Sequence, residues 1–120
     1  MRYTAAVVKG HGRGKGMGFP TLNLAIPPEM KEEDGIYAGF VWIGGSGYRG
    51  AFHFGPVPTF KEETSSLEVF ILDAIIEQSP ERLDFELVKK IRDIETFKSA
   101  EELARKIEAD VRAVRELPLP

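Results

Sequence analysis

The amino-acid sequence predicts a mainly β protein: a small closed six-stranded antiparallel β-barrel with a C-terminal α-helix packed outside. Short runs of β-forming residues alternate with turn residues, and the only helical pattern lies at the end of the chain. Because no helical pattern separates the strands, a parallel sheet with crossover helices is excluded. Gly39 and Gly50 lie inside predicted strands, where glycine is typical of the bulges and tight bends of a closed barrel.

Six runs are predicted as strands, at residues 3–9, 21–24, 35–43, 48–54, 67–76 and 82–92. The glycine-rich turn at 44–47 is expected to join the third and fourth strands as a hairpin. The run 67–76 is apolar on both faces, which predicts a strand buried on both sides. The run 82–92 alternates apolar and polar residues, and the turn at 78–81 is expected to join it to 67–76 as a second hairpin.

The last predicted element is a helix that ends near residue 116. Ser99 and Glu102 have the spacing of a capping box, in which each side chain accepts a hydrogen bond from the other residue's backbone N–H. An apolar stripe follows at helical spacing, formed by Leu103, Ile107, Val111 and Val114. Pro118 and Pro120 then stop the helix.

The composition limits the class of protein. The 120 residues are enough for a single domain, 1–120, with its own core, and 42% hydrophobic with 29% charged residues is typical of a globular protein. The absence of cysteine excludes disulfides and thiolate metal sites. The net charge of −3 argues against a dedicated nucleic-acid-binding protein. Neither a membrane span of ~20 apolar residues nor a signal peptide is visible, so we expect a cytoplasmic protein, a monomer, with no membrane or nucleic-acid partner.

Residues 10–18 form a glycine-rich segment in which Arg13 and Lys15 lie between alternate glycines. Backbone N–H groups in such a segment can converge on an anion, and the two cations add positive charge, so phosphate binding is predicted. The spacing matches neither a P-loop nor the Gly-x-Gly-x-x-Gly pattern. A flexible hairpin without a ligand is the alternative.

Pro20 leads from the glycines into Thr21 and Asn23, two residues apart. In an extended segment both side chains project from the same face, and Leu22 points away from it. A hydroxyl and a carboxamide are oxygen ligands suited to Mg²⁺ that also binds nucleotide phosphates. These two residues are therefore candidate metal ligands.

The stretch 10–24 resembles the signature of the riboflavin kinase family, whose glycine-rich loop runs into Pro-Thr-Ala-Asn; Leu22 replaces the alanine. The resemblance implies an ATP:riboflavin 5′-phosphotransferase on a barrel of the predicted kind, which makes FMN and ADP with Mg²⁺. It also implies that Thr21 and Asn23 hold the metal. The implied nucleotide-binding residues are Gly10, Gly12, Arg13, Gly14, Lys15, Gly16 and Thr21. Many bacterial members also carry a nucleotidyltransferase domain that makes FAD, for which 120 residues leave no room, so kinase activity alone is expected.

Glu68 lies among apolar residues of a predicted strand, where a carboxylate is ion-paired, at the barrel mouth or functional. The segment 66–73 resembles the family's strand with the catalytic glutamate, which implies that Glu68 is the general base of phosphoryl transfer. Arg92, ahead of Glu95-Thr96-Phe97, resembles the family's arginine near the flavin, which implies flavin binding. A structural salt bridge for Glu68 and an exposed position for Arg92 are the alternatives.

Two departures from the family pattern keep a second function open. Val57 replaces the usual arginine before Pro-Thr-Phe, and Ser79-Pro80 replaces the frequent Tyr-Gly. A catalytically silent barrel that binds flavin or nucleotide as a sensor is therefore the alternative. An RNA-binding barrel is disfavoured by the net charge and by the lack of a basic, aromatic surface pattern.

Three further residues with aromatic rings receive no predicted site. His11 and His53 lack partners at metal-binding spacing, so neither is assigned a metal. Trp42 is expected to lie in the core rather than to stack on a flavin.

Overall fold

The computed structural model describes residues 1–8, 21–56, 65–76 and 78–120. These residues form β1 Arg2–Val8, β2 Leu22–Leu24, β3 Gly35–Ile43, β4 Ser46–Pro56, β5 Ser65–Ile71, β6 Arg82–Arg92 and α1 Ala100–Arg115. All strand pairs are antiparallel, and the order β1-β2-β5-β4-β3-β6 closes into a barrel because β6 also pairs with β1. The predicted fold class is confirmed. The helix of the described chain is too short or too polar to span a membrane.

The predicted hairpin between β3 and β4 is confirmed, with a tighter turn than expected. β4 runs back along β3 from the pair Ile43↔Ser46. The turn consists of Gly44 and Gly45, whose φ angles are +56° and +88°. Both angles lie in the left-handed region, which a two-residue type I′ turn requires and which glycine adopts without strain. β4 therefore begins two residues earlier than predicted.

The predicted hairpin between β5 and β6 is wrong. β5 pairs with β2 and β4, whereas β6 pairs with β1 and β3. Since a strand has two edges and both edges of β5 are occupied, β6 must pair elsewhere, and it closes the barrel. β5 also ends at Ile71 rather than at residue 76, because Leu72 and Asp73 form a turn in which Asp73 has a φ of +56°. The Arg115 guanidinium donates to both carboxylate oxygens of Asp73, at 2.8 and 2.7 Å, and stabilises this turn.

Alternation along the strands divides the barrel into an inner and an outer face. The inner face holds the main core, which includes Tyr3, Leu24, Val41, Phe52, Phe54, Leu67, Val69, Ile71, Leu83 and Phe85. A second apolar cluster joins Ala38 and Leu72 to Val114 of α1, with Ala51 and Phe70 packed against it. The helix therefore packs on the outside of the barrel, against β3 and β4, as predicted.

Hydrogen bonds hold both ends of α1. At its start the Ser99 hydroxyl accepts a hydrogen bond from the Glu102 backbone N–H at 3.2 Å, so this half of the predicted capping box is confirmed. Such an N-cap stabilises a helix by about 1 kcal/mol. At its end Arg49 of β4 donates to the carbonyl oxygens of Arg115 and Leu117, at 3.0 and 3.2 Å. These carbonyls lack partners within the helix, so the arginine satisfies them and ties the helix to the barrel.

Gly39 and Gly50 face each other across the β3–β4 pair. The register between β3 and β6 shifts between Ala38 and Gly39, where Val88 of β6 is the extra residue, so an irregularity lies beside Gly39 but the bulged strand is β6. A Cβ atom at Gly39 would overlap the carbonyl oxygen of Glu86, and one at Gly50 would lie 2.8 Å from Cγ2 of Val69. The absence of side chains allows this close approach where the barrel bends.

Candidate active site

Three of the predicted site residues come together where β2 pairs with β5. Asn23 of β2 lies directly opposite Glu68 of β5. Thr21, immediately before β2, donates a hydrogen bond from Oγ1 to Oε1 of Glu68 at 3.2 Å. Both candidate metal ligands therefore adjoin the candidate base, although they are more than 40 residues away from it in the chain.

These side chains lie on the outer face of the barrel. Leu67 and Val69, on either side of Glu68, are 1% and 0% exposed and belong to the inner core. Because side chains alternate along a strand, Glu68 points outward. It is nevertheless only 2% exposed, and Asn23 is 9% exposed. A buried carboxylate that accepts a hydroxyl's hydrogen bond is held in a defined orientation and shielded from bulk water.

The oxygen atoms around Glu68 fit a magnesium ion. Thr21 uses its proton in the hydrogen bond to Glu68, which leaves the lone pairs of Oγ1 available to a cation. Together with the Asn23 carboxamide they form a pair of oxygen donors, the type that Mg²⁺ prefers. In the described part of the chain no three His, Cys, Asp or Glu side chains cluster as a metal site. A metal bound here would therefore depend on Thr21, Asn23 and groups of its substrate.

The strand registers extend this site into a continuous row across five strands. In the order β2, β5, β4, β3 and β6, the row contains Asn23, Glu68, His53, Ile36 and Arg92. Neighbouring strands are about 4.8 Å apart, so Glu68 and Arg92 are separated by three spacings, or about 14 Å along the surface. We call these five residues the outer row. It places the candidate base and the candidate flavin-binding residue on one side of the barrel.

Arg92 joins β6 to α1 through a bidentate ion pair with Asp110. Its Nε and Nη2 donate to the two carboxylate oxygens at 2.9 and 2.8 Å, and Nη1 donates to the carbonyl oxygen of Asp93 at 3.0 Å. The side chains of Arg92 and Asp110 are 15% and 7% exposed, so the alternative of an exposed arginine is wrong. The guanidinium also lies 5.8 Å from the ring centre of Phe97.

A surface cleft of about 490 Å³ opens beside Arg92. It lies between the segment after β6 and the first half of α1, and its lining includes Glu95, Thr96, Phe97, Glu102, Arg105 and Lys106. Its volume is in the range of small-molecule sites, which are about 300–1,000 Å³. The sequence reasoning named Glu95, Thr96 and Phe97 but missed the helix residues, because only the packing of α1 sets them opposite this segment.

Other predicted positions fall outside the site or outside the described residues. The glycine-rich segment with Arg13 and Lys15 lies outside the described residues, as do His11 and Val57, so the nucleotide-binding role of Gly10, Gly12, Gly14 and Gly16 stays a prediction. Trp42 is not in the core: it is half-buried on the outer face of β3, where the Arg2 guanidinium lies 3.9 Å from its ring centre.

His53 was given no role, yet it lies beside Glu68 in the outer row. The flanking Phe52 and Phe54 indicated that it points outward, but its neighbour depends on the strand register.

Nearly the whole chain matches one protein family. Residues 1–118 match the family described as Flavokinase: Riboflavin kinase. The chain belongs to the riboflavin kinase family. The resemblance seen in residues 10–24 and 66–73 is thus confirmed at the level of the family.

Relatives of this riboflavin kinase domain include longer proteins. A bifunctional riboflavin kinase/FMN adenylyltransferase of Bacillus subtilis is 34% identical over 113 residues, which is 87% of this chain and 34% of that protein. The protein of the same description from Escherichia coli K12 is 32% identical over 111 residues, 92% of this chain and 36% of that one. A crystal structure described as a macrolide-efflux protein of Streptococcus pneumoniae superposes with a TM-score of 0.86 at 30% identity, over 98% of this chain and 39% of that one. The chain thus spans little more than a third of each of these proteins.

Proposed function

We propose that this riboflavin kinase-family domain transfers the γ-phosphoryl group of ATP to the ribityl 5′-hydroxyl of riboflavin, with Mg²⁺, and releases FMN and ADP. The observation that carries the proposal is the juxtaposition of Thr21, Asn23 and Glu68 on a buried part of the outer face. Two oxygen ligands beside a base are what phosphoryl transfer to an alcohol requires.

The phosphate donor would bind on the β2 side of Glu68. Thr21 and Asn23 would hold Mg²⁺ there, and the glycine-rich segment with Arg13 and Lys15 would bind the nucleotide. When bound, the ion neutralises negative charge on the β- and γ-phosphates. The protein's own contribution on this side is to position the phosphate chain against the alcohol.

Glu68 would act as general base. Its carboxylate takes the proton of the ribityl 5′-hydroxyl as that oxygen forms its bond to the γ-phosphorus, and the bond from the γ-phosphorus to the bridging oxygen of ADP breaks. The hydrogen bond that Thr21 donates to Oε1 would orient the carboxylate for this proton transfer. Burial of the carboxylate lowers the access of water, which would otherwise compete as the acceptor.

The flavin ring would bind at the Arg92 end of the outer row. Arginine has five N–H donors. Three hydrogen bonds to Asp110 and Asp93 occupy part of them, and Oε2 of Glu95 lies 3.5 Å from Nη1, so the second N–H of Nη2 would donate to a flavin carbonyl oxygen. The adjacent cleft contains Phe97, an aromatic surface of the kind that packs on planar ligands. We further propose that residues 1–120 act as one domain and as a monomer, in the cytoplasm, on small molecules alone.

One incubation tests the reaction. The 120-residue protein is incubated with riboflavin, ATP and MgCl₂, and the products are separated by chromatography. We expect FMN and ADP in equal amounts and no FAD, because the chain matches a kinase family and spans only about a third of its bifunctional relatives. Formation of FAD would show that the assignment is incomplete. Riboflavin binding without FMN under any nucleoside triphosphate would instead favour the silent sensor.

A further inference from the structure

His53 is the neighbour of Glu68 on the side away from the candidate metal ligands. It lies on β4 directly opposite Glu68, while Asn23 lies opposite Glu68 on β2. Phe52 and Phe54 belong to the inner core, so His53 points to the outer face together with Glu68. The Cβ atoms of directly opposed residues are about 4.5–5.5 Å apart, which brings the imidazole within reach of groups bound at the carboxylate.

The two sides of Glu68 offer different chemistry. In phosphoryl transfer the attacking and leaving oxygens lie roughly in line on opposite sides of the phosphorus. If the phosphates bind on the β2 side, at Thr21 and Asn23, then the attacking alcohol must approach Glu68 from the β4 side. His53 is the residue of the outer row that lies there.

The next residues of the outer row continue in the same direction. Ile36 lies opposite His53 on β3 and is 7% exposed, and Arg92 lies opposite Ile36 on β6. A flavin with its ring near Arg92 and its terminal hydroxyl at Glu68 would pass over an apolar position and then over His53. The ribityl chain carries hydroxyl groups that need hydrogen-bond partners, and a neutral imidazole can both donate and accept.

We infer that His53 binds the ribityl chain of the acceptor and sets the position of its terminal hydroxyl against Glu68, so that it contributes to selection of a flavin with a polyol tail. This inference rests on the proposed function for the direction of the substrate. It assigns a binding role to a residue that the sequence pattern left without one. The flavin ring itself is bound elsewhere in the outer row and does not depend on His53.

A comparison of two flavins tests the inference. Binding of riboflavin and of lumiflavin, which has a methyl group in place of the ribityl chain, is measured by flavin fluorescence for the wild type, His53→Ala and His53→Gln. Loss of one hydrogen bond should weaken riboflavin binding by about 3- to 10-fold in His53→Ala and leave lumiflavin binding unchanged. His53→Gln, which can still donate and accept, should recover part of the loss. In turnover assays the KM for riboflavin should rise while the KM for MgATP stays constant.

The controls separate this inference from the proposed function. Thr4→Ala removes a hydroxyl from the outer face of β1, where it donates to Asp84 at 2.7 Å, and should leave both flavin affinities unchanged. Equal weakening of both flavins, an unchanged riboflavin affinity in a folded His53→Ala protein, or a rise in the KM for MgATP alone would overturn the role of His53. Failure of the wild type to form FMN would refute the proposed reaction, whereas the comparison of riboflavin with lumiflavin would still decide whether His53 contacts the ribityl chain.

Discussion

Replacement of Glu68 by glutamine tests the proposal that this residue is the general base of phosphoryl transfer. Glutamine has nearly the same shape, and its Oε1 can still accept the hydrogen bond that Thr21 donates at 3.2 Å. It cannot accept a proton. General-base assistance is typically worth about 10²–10⁴-fold, so kcat of Glu68→Gln should fall by about that factor. The affinities for riboflavin and Mg·ADP should change little, because neither binding step needs the proton transfer.

The same change also weakens the hydrogen bond that Thr21 donates to residue 68, and this weakening costs stability. A hydrogen bond to a charged group contributes about 1 kcal/mol more than one to a neutral group, and Thr21 donates such a bond to this carboxylate. For a domain of 120 residues, a loss of about 1 kcal/mol lowers Tm by about 3–6 °C. The variant should therefore be folded at assay temperature, and its loss of turnover cannot be attributed to unfolding.

The assay combines kcat, measured as FMN formed per folded molecule, with Tm from circular dichroism. Glu86→Gln is the matched control: it makes the same chemical change on the outer face of β6, where the side chain of Glu86 is 36% exposed and 3.5 Å from the N-terminal amine. That variant should retain full turnover. If Glu68→Gln loses stability yet keeps nearly full turnover, Glu68 has a structural role and the base lies elsewhere.

Three further outcomes are expected. Asn23→Ala should weaken Mg·ADP binding by at least about tenfold in calorimetric titration, and riboflavin binding much less, because it removes an oxygen ligand on the side where the phosphate donor binds. Unaltered Mg·ADP affinity in the folded variant would contradict the metal site. Asp110→Ala should lower the free energy of unfolding in urea by about 3 kcal/mol, because it leaves the Arg92 guanidinium buried without its bidentate partner; a loss below about 1 kcal/mol would contradict this. Burial and the hydrogen bond to Glu32 raise the pKa of Tyr3 from 10.0 to about 12, so the folded state holds this proton more tightly than the unfolded state, and its contribution to stability is lost as pH rises from 10 towards 12. In Tyr3→Phe the free energy of unfolding, measured with urea, should depend less on pH over that interval. The same dependence on pH as in the wild type would refute the assignment.

The sequence identified the individual residues of the candidate site, but it did not show that they lie next to one another. Thr21 and Asn23 stood out through their spacing, and Glu68 stood out as a carboxylate among apolar neighbours. Nothing local indicated that the two segments pair. Their contact depends on β2 binding along one edge of β5, and the same register places His53 beside Glu68. The sequence pattern showed no residue near His53, whereas the pairing of β4 with β5 places it opposite Glu68.

Misplaced residues have similar causes. Trp42 was expected in the core, but its position in the alternation of β3 puts it on the outer face, where the Arg2 guanidinium lies 3.9 Å from its ring centre. An exposed position was the alternative for Arg92, but α1 brings Asp110 against it. In both cases the deciding contact comes from an element distant in the chain.

The sequence by itself determined the features whose physical causes act over a few residues. Alternation marked the strands, the two glycines of positive φ required the β3–β4 turn, and Ser99 marked the start of the helix. Only the tertiary structure decided which strands pair. In the order β1-β2-β5-β4-β3-β6, β2 and β4 occupy the two edges of β5, so β6 pairs with β1 and β3 instead and closes the barrel. Because pairing satisfies backbone groups of strands far apart in the chain, no local pattern predicts it, and the outer row from Asn23 to Arg92 exists only once β2, β5, β4, β3 and β6 have paired.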